Sequence, residues 1–223
     1  MYYTRAYGLP RGSNMVRASP TGRLGADDWV RAATDILVLK SVDAVRVESL
    51  ARDLEVSKGS FYWHFKDRSE LLRAILESWR QRQTKAIIER VTREEGLDPR
   101  ERLRRTMELP LRSKASREAA SLELAIRAWA RRDKLARDAV AEVDAERLNF
   151  VSGQLIEAGA DPPLAQQLSF IAYAYNLAEA WVAVDSSAQV RDQRRSHVID
   201  LVFQNLPTGQ AKSPKDRKLA SAE

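Results

Sequence analysis

The residues with most to offer chemically lie together, in the run Ser57-Lys58-Gly59-Ser60-Phe61-Tyr62-Trp63-His64-Phe65-Lys66. Lys58 and Lys66 bring cations, Ser57 and Ser60 bring hydroxyls, and Tyr62, Trp63 and His64 bring rings with a polar edge. Such groups ion-pair, stack and hydrogen-bond. A lysine beside small residues at a helix start also leaves backbone amides open to phosphate oxygens. Catalytic chemistry is poorly supplied by comparison: the chain has two histidines, no cysteine, no glycine loop for phosphates and no metal-spaced cluster. Lack of cysteine excludes disulfides, thiolate metal sites and thiol nucleophiles. Neither an enzyme nor a cofactor is expected.

The neighbouring sequence predicts how this run is positioned. Phe61 and Phe65, four apart, form the inward face of a short helix, which turns Tyr62, Trp63, His64 and Lys66 wholly or partly outward. That much exposed aromatic surface calls for a partner. Upstream, Val47 to Leu54 reads as another short helix that buries Val47, Leu50, Ala51 and Leu54. Small Ala51 permits a close approach, Val56 packs into the junction, and Ser57 caps the second helix. Two short helices around a tight turn make a helix-turn-helix, whose second member enters the DNA major groove.

The rest of the chain reads as all-α. Asp27 to Lys40 carries Trp29, Ala33, Ile36 and Leu37 at helical spacing behind two N-terminal acids. A long connecting helix starts near an N-cap at Ser69 and runs to about residue 93 with a stripe of Leu72, Ile75, Leu76, Trp79, Ala86 and Ile87. Further breaks fall at residues 96–99, 110, 159–163 and 185–187, with no alternating strand pattern. In the helix within 164–184, Leu168, Ile171, Tyr175 and Ala178 mark one face and Phe170, Ala174, Leu177 and Trp181 another. A helix apolar on two sides needs two partners, so it and the last helix are expected to pack inward and against a second subunit.

Residues 1–26 hold Arg5, Arg11, Arg17 and Arg23, many Gly, Pro and Ser residues and no acid before Asp27, and read as a flexible basic arm. Two roles stay open for it, a DNA groove ligand and a solvated leader, and Met15 is an alternative start. The tail at 207–223 reads as disordered. The expected order is therefore the arm, a helix-turn-helix domain at 27–68, a helical effector-binding and dimerisation domain at 69–206, and the tail. A net charge of +6 and a pI near 9.7 fit an anionic partner. No apolar run is long enough to span a bilayer, so no membrane partner and a cytoplasmic location are expected.

Leu50-Ala51, followed by the uninterrupted run from Ser57 through Lys66 to Asp67-Arg68-Ser69-Glu70-Leu71-Leu72, resembles the signature of the TetR family of transcriptional regulators. The resemblance spans roughly residues 27–80. It implies an all-helical homodimer with an N-terminal DNA-binding domain, and a variable C-terminal domain that holds a small-molecule pocket and the dimer interface. It implies that Ser60 and Trp63 reach bases, that Tyr62, His64, Lys66 and sometimes Arg68 hold phosphates, and that Lys58 does either. Arg46 and Glu55 depart from the family pattern. Arg46 stands where Thr or Ser usually opens the first of the two helices, and adds a cation at the DNA backbone. Glu55 stands where the turn often carries Gly and costs about 1 kcal/mol if φ is positive there. Arg46, Ser57, Lys58, Gly59, Ser60, Tyr62, Trp63, His64 and Lys66 are thus the candidate contacts to a palindromic double-stranded operator. Trp129, Phe150, Tyr173, Asn176 and Leu177 are candidates for an effector pocket, and the Glu123–Arg127 pair is either a surface pair or a ligand-orienting one. The expected function is a repressor released by a small molecule. An architectural DNA-binding protein of the same fold, without a ligand, is the alternative.

Overall fold

The computed structural model describes residues 24–93, 96–109, 114–182 and 187–207; most of the basic arm and all but the first residue of the tail lie outside them. Every regular element among the described residues is helical: α1 (Ala26–Leu39), α2 (Val47–Asp53), α3 (Lys58–Tyr62), α4 (Arg68–Arg80), α5 (Ala86–Thr92), α6 (Pro99–Glu108), α7 (Lys114–Ala130), α8 (Lys134–Glu157), α9 (Pro162–Trp181) and α10 (Ala188–Gln204). No helix among them is long and apolar enough to cross a membrane.

Contacts divide the chain into two units, Met1–Lys85 with Glu118–Val143, and Ala86–Arg117 with Asp144–Glu223. The first unit is built around Trp29, Ala33 and Leu37 of α1, Leu50 and Ala51 of α2, Phe61 of α3, and Leu71, Ile75 and Trp79 of α4. Ile126, Trp129 and Ala130 of α7, with Ala136 and Val143 of α8, join the same core. The unit containing the helix-turn-helix therefore recruits helices from far along the chain.

Helix ends explain the local register. Gly25 precedes α1, and its amide donates to the Asp28 carboxylate at 2.9 Å. The expected cap at Ser69 is displaced two residues upstream: Asp67 accepts from the Glu70 amide at 2.8 Å, while the Lys66 amide donates to the Glu70 carboxylate. Asp67 thus has Glu70 at the spacing of a capping box, but the Glu70 carboxylate reaches the amide one residue before the cap. Between α4 and α5 the helix widens into a π-helical segment, Gln81–Lys85, with Thr84 buried. Such segments are rare and concentrate at functional sites.

The second unit packs Leu103 and Met107 of α6, Leu155 of α8 with Ala158 just beyond it, Leu168 and Ala172 of α9, and Ile199 and Val202 of α10 with Leu206 just beyond it. Asp161 caps α9 by accepting from the Leu164 amide at 2.8 Å, with Pro162 in the first helical position, where its missing N–H leaves nothing unpaired.

Candidate nucleic-acid interface

The turn between α2 and α3 fixes how the second helix is presented. Glu55 has φ of +56°, the Val56 amide reaches the Ala51 carbonyl at 2.9 Å, and the Glu55 amide reaches that of Arg52 at 3.1 Å. These two bonds form a Schellman closure with a left-handed residue at its hinge. Glycine adopts that conformation freely; Glu55 holds it at a cost of roughly 1–2 kcal/mol.

From this turn α3 projects as a helix of five residues whose contact with the core runs through Phe61. The Phe61 ring meets Trp29 edge-on at 5.3 Å and lies 5.5 Å from Phe65, so both phenylalanines face inward as their spacing predicts. The opposite side is left to solvent: Trp63 is 88% exposed and Tyr62 62%. Lys58 and Lys66 flank these rings on the outside, and Ser60 is half-buried. A side chain at Gly59 would meet only Ser57 Oγ, at an ordinary 3.5 Å, so nothing inside the fold requires glycine there. Its bare backbone faces outward.

Several side chains behave differently from their sequence reading. Ser57 occupies the N-cap of α3 in extended geometry but makes no side-chain cap bond, so its hydroxyl does not secure the helix as expected. Arg68 donates to the carbonyls of Val45 (Nε, 2.6 Å) and Val42 (2.5 Å), clamping the start of α4 to the segment before α2. This engagement uses Nε and one Nη of Arg68 inside the fold. Arg46 stands at the N-cap of α2 without a side-chain acceptor, exposed, its Nε 3.3 Å from the Asp43 carbonyl. His64 Nε2 lies 3.0 Å from the carbonyl of Leu24 and donates to it, because a carbonyl only accepts.

Glu48 is a participant the sequence reading passed over. Its carboxylate is 3.1 Å from Lys58 Nζ, across the two helices of the motif. Its own backbone amide first, and then the Lys58 ammonium, hold the carboxyl below the usual range. The ten-residue separation hides this pair from any i, i+4 rule; only the turn geometry brings it together.

The candidate effector residues do not all fall in one unit. Trp129 is buried in the core of the first unit. Phe150, Tyr173, Asn176 and Leu177 belong to the second unit and are half-buried. Tyr173 donates to Asp144 at 2.6 Å and accepts from Arg147 at 3.2 Å. Burial, and then the nearby Glu179 carboxylate, push the Tyr175 hydroxyl up to about 12. Glu179 pairs with Arg194 at 2.9 Å. The Glu123–Arg127 pair forms at 2.8 Å and is largely buried within the first unit, so it is not a surface pair. Gln154 is a second residue that sequence reasoning missed: it is 4% exposed, and neither its amide nitrogen nor its oxygen has a partner among the described residues. A single glutamine in a helix carries no local sign that it will be buried.

Fold and exposed helix together define a helix-turn-helix. Residues 30–75 match the model for bacterial regulatory proteins of the tetR family. No curated protein matches the chain at the level of sequence. Among solved structures, a transcriptional regulator from Rhodococcus sp. RHA1 aligns at a TM-score of 0.66 and 20% identity, covering 86% of this chain and all of that one. A regulator from Saccharomonospora viridis, solved in complex with choline, aligns at 0.63 and 20% identity, covering 81% and 96%. A TetR-family regulator from Rhodococcus sp. aligns at 0.62 and 23% identity, covering 79% and 97%. These similarities extend the shared fold beyond the matched N-terminal segment.

Proposed function

We propose that the protein is a dimeric, sequence-specific repressor that reads a palindromic operator with α3 and releases it when a small molecule binds the second unit. The observation that carries the DNA-binding part is the exposure of Trp63 and Tyr62, between Lys58 and Lys66, on a helix whose inner side is fixed by Phe61. Rings held rigidly in water on a cationic surface suit base edges and phosphates. Ser60 and Trp63 contact bases; Arg46, Ser57, Lys58, Gly59, Tyr62 and Lys66 contact the backbone; His64, whose Nε2–H is engaged by the Leu24 carbonyl, lies beside the same surface.

The second subunit docks on α9 and α10. Phe170, Ile171 and Trp181 are exposed on α9, while Leu168 and Ala172 are buried on its other side; Val190 and Leu201 are exposed on α10. For the effector, Phe150, Tyr173, Asn176 and Leu177 remain the candidate contacts, and the unpartnered amide of Gln154 adds support for a polar occupant within this unit. A buried amide without hydrogen bonds costs about 1–3 kcal/mol, which a bound donor and acceptor offset. The release mechanism is a population shift: the ligand favours a dimer in which the two recognition helices no longer match half-sites about 34–36 Å apart. The π-helical segment Gln81–Lys85, where the connecting helix is already irregular, suits such a change.

Selection of duplexes from a random pool by the purified protein tests this reading. Recovery of one palindrome, bound by two chains, is expected. Equal retention of all sequences would sink sequence-specific regulation.

A further inference from the structure

The turn between α7 and α8 puts a second group of cations on the unit that carries the helix-turn-helix. Both ends of this turn are anchored. Trp129 and Ala130 at the end of α7, and Ala136 in the first turn of α8, are buried in the same core as Leu50 and Phe61. Its backbone is closed on itself: the Arg132 amide donates to the Trp129 carbonyl at 3.0 Å, and Asp133 caps α8 by accepting from the Ala136 amide at 3.2 Å. The Asp133 carboxylate is thereby used by the helix, and Arg131, Arg132 and Lys134 are left exposed.

Asp43, in the short helical turn Val42–Ala44 that leads into α2, joins these cations to the motif. It gathers two arginines that are far apart in sequence. Its carbonyl accepts from Arg46 Nε at 3.3 Å, and its carboxylate lies 3.3 Å from Arg132. Arg46 is the N-cap of α2, the helix that crosses the DNA backbone in a helix-turn-helix. Arg132 therefore stands beside a candidate phosphate contact, and Arg131, next to it in the turn, has no acidic partner among the described residues. The side chains of Arg132 and Asp43 are 66% and 68% exposed. An ion pair so open to water contributes little, so a phosphate can take the guanidinium from the carboxylate. Lys134 is already held by Asp138, one turn along α8, at 2.6 Å.

We propose that the α7–α8 turn is a second DNA-contacting element, in which Arg131 and Arg132 hold backbone phosphates next to the one met by Arg46; this rests on the reading that α3 binds the operator. Contacts to phosphate carry no sequence information, so the turn adds affinity for every duplex and steadies the unit over its half-site. Arginine suits the role because its planar fork binds phosphate oxygens in pairs. Asp43 orients Arg132 in the free protein and competes with phosphate for it when DNA arrives.

The test titrates the full chain, its R131A/R132A variant and Asp43→Asn against the selected palindrome and a random duplex at several salt concentrations. R131A/R132A should weaken both duplexes alike and lower the salt dependence by roughly 2 per subunit. Between 50 and 200 mM salt that difference amounts to about tenfold per subunit. Its thermal melt and dimer constant should match the parent's, because both side chains are exposed. Asp43→Asn should bind both duplexes about two- to fivefold more tightly, since Arg132 then meets phosphate without a competitor. A weakening by Asp43→Asn comparable with that of R131A/R132A overturns the contact, because it would show that the pair only positions Arg46. An unchanged salt dependence in R131A/R132A overturns it as well. Ethylation interference places the contact: phosphates whose ethylation blocks the parent but not R131A/R132A should lie beside those lost in Arg46→Ala. An identical set for the parent and R131A/R132A contradicts the placement. If the parent does not prefer the palindrome to random DNA, the α3 reading fails and takes the turn with it; if the parent discriminates and R131A/R132A behaves as it does, the turn alone fails.

Discussion

Helices α3 and α9 both hold aromatic side chains in water, and the difference between them is in what surrounds those rings. Around Tyr62 and Trp63 stand Lys58 and Lys66, with Arg46 nearby in sequence at the start of the motif. Around Phe170, Ile171 and Trp181 the α9 sequence has no lysine or arginine at all. An aromatic surface within a cationic rim suits a polyanion, and one without a rim suits a protein surface. The helices also differ in how they are stabilised. α9, with twenty residues and a capped start, has the length to hold its shape; α3, with five residues and no side-chain cap, depends on Phe61.

That dependence gives the largest expected effect. Phe61→Ala should lower the unfolding free energy by about 3–5 kcal/mol, through lost burial and the cavity left beside Trp29. Chemical denaturation measures it; a loss under about 1 kcal/mol would show that α3 is not held by this contact. On α9 the corresponding change acts on assembly instead. Trp181→Ala should weaken dimerisation by about thirtyfold or more if the ring is an interface anchor, with little change in the stability of each chain. Sedimentation across a concentration series separates the two, and an unchanged dimer constant would remove α9 from the interface.

Smaller effects sharpen the picture of the motif. Glu55→Gly should stabilise the protein by about 1 kcal/mol, because glycine adopts positive φ without the Cβ clash, and a thermal melt reads this as a rise of several degrees. Glu48→Gln should tighten binding to every duplex about two- to fivefold, by freeing Lys58 from its carboxylate. It should also steepen the salt dependence by up to about one. Tighter binding to one sequence only would mean that Glu48 reads a base.

The inward face of α3 was legible in the sequence because neighbours within a few residues set it: Phe61 and Phe65 can share a side only if the segment is helical. At Glu55 the family resemblance raised a positive φ only as a condition, and the structure meets it. The placement of Trp129 in one core with Trp29 was not legible, since packing between segments about a hundred residues apart leaves no local periodicity. Arg68 looked like a surface cation because a sequence cannot show that two carbonyls, of Val42 and Val45, lie within its reach. Ser69 reads as the cap from its type, but Asp67, with Glu70 three residues beyond it, takes that place in the structure. Aromatic type, which points to Trp129, Phe150 and Tyr173 as pocket candidates, does not distinguish Trp129, used in a core, from Tyr173, whose hydroxyl bridges Asp144 and Arg147.

The most direct test of the central claim is a paired titration of Trp63→Ala and Lys66→Ala against the selected palindrome and a random duplex of equal length. Trp63→Ala should lose about 1–3 kcal/mol on the palindrome and almost nothing on random DNA, so that discrimination collapses. Lys66→Ala should weaken both duplexes alike and lower the salt dependence by about one. Parallel losses on both duplexes for both variants would contradict the assignment of α3 as the element that reads sequence.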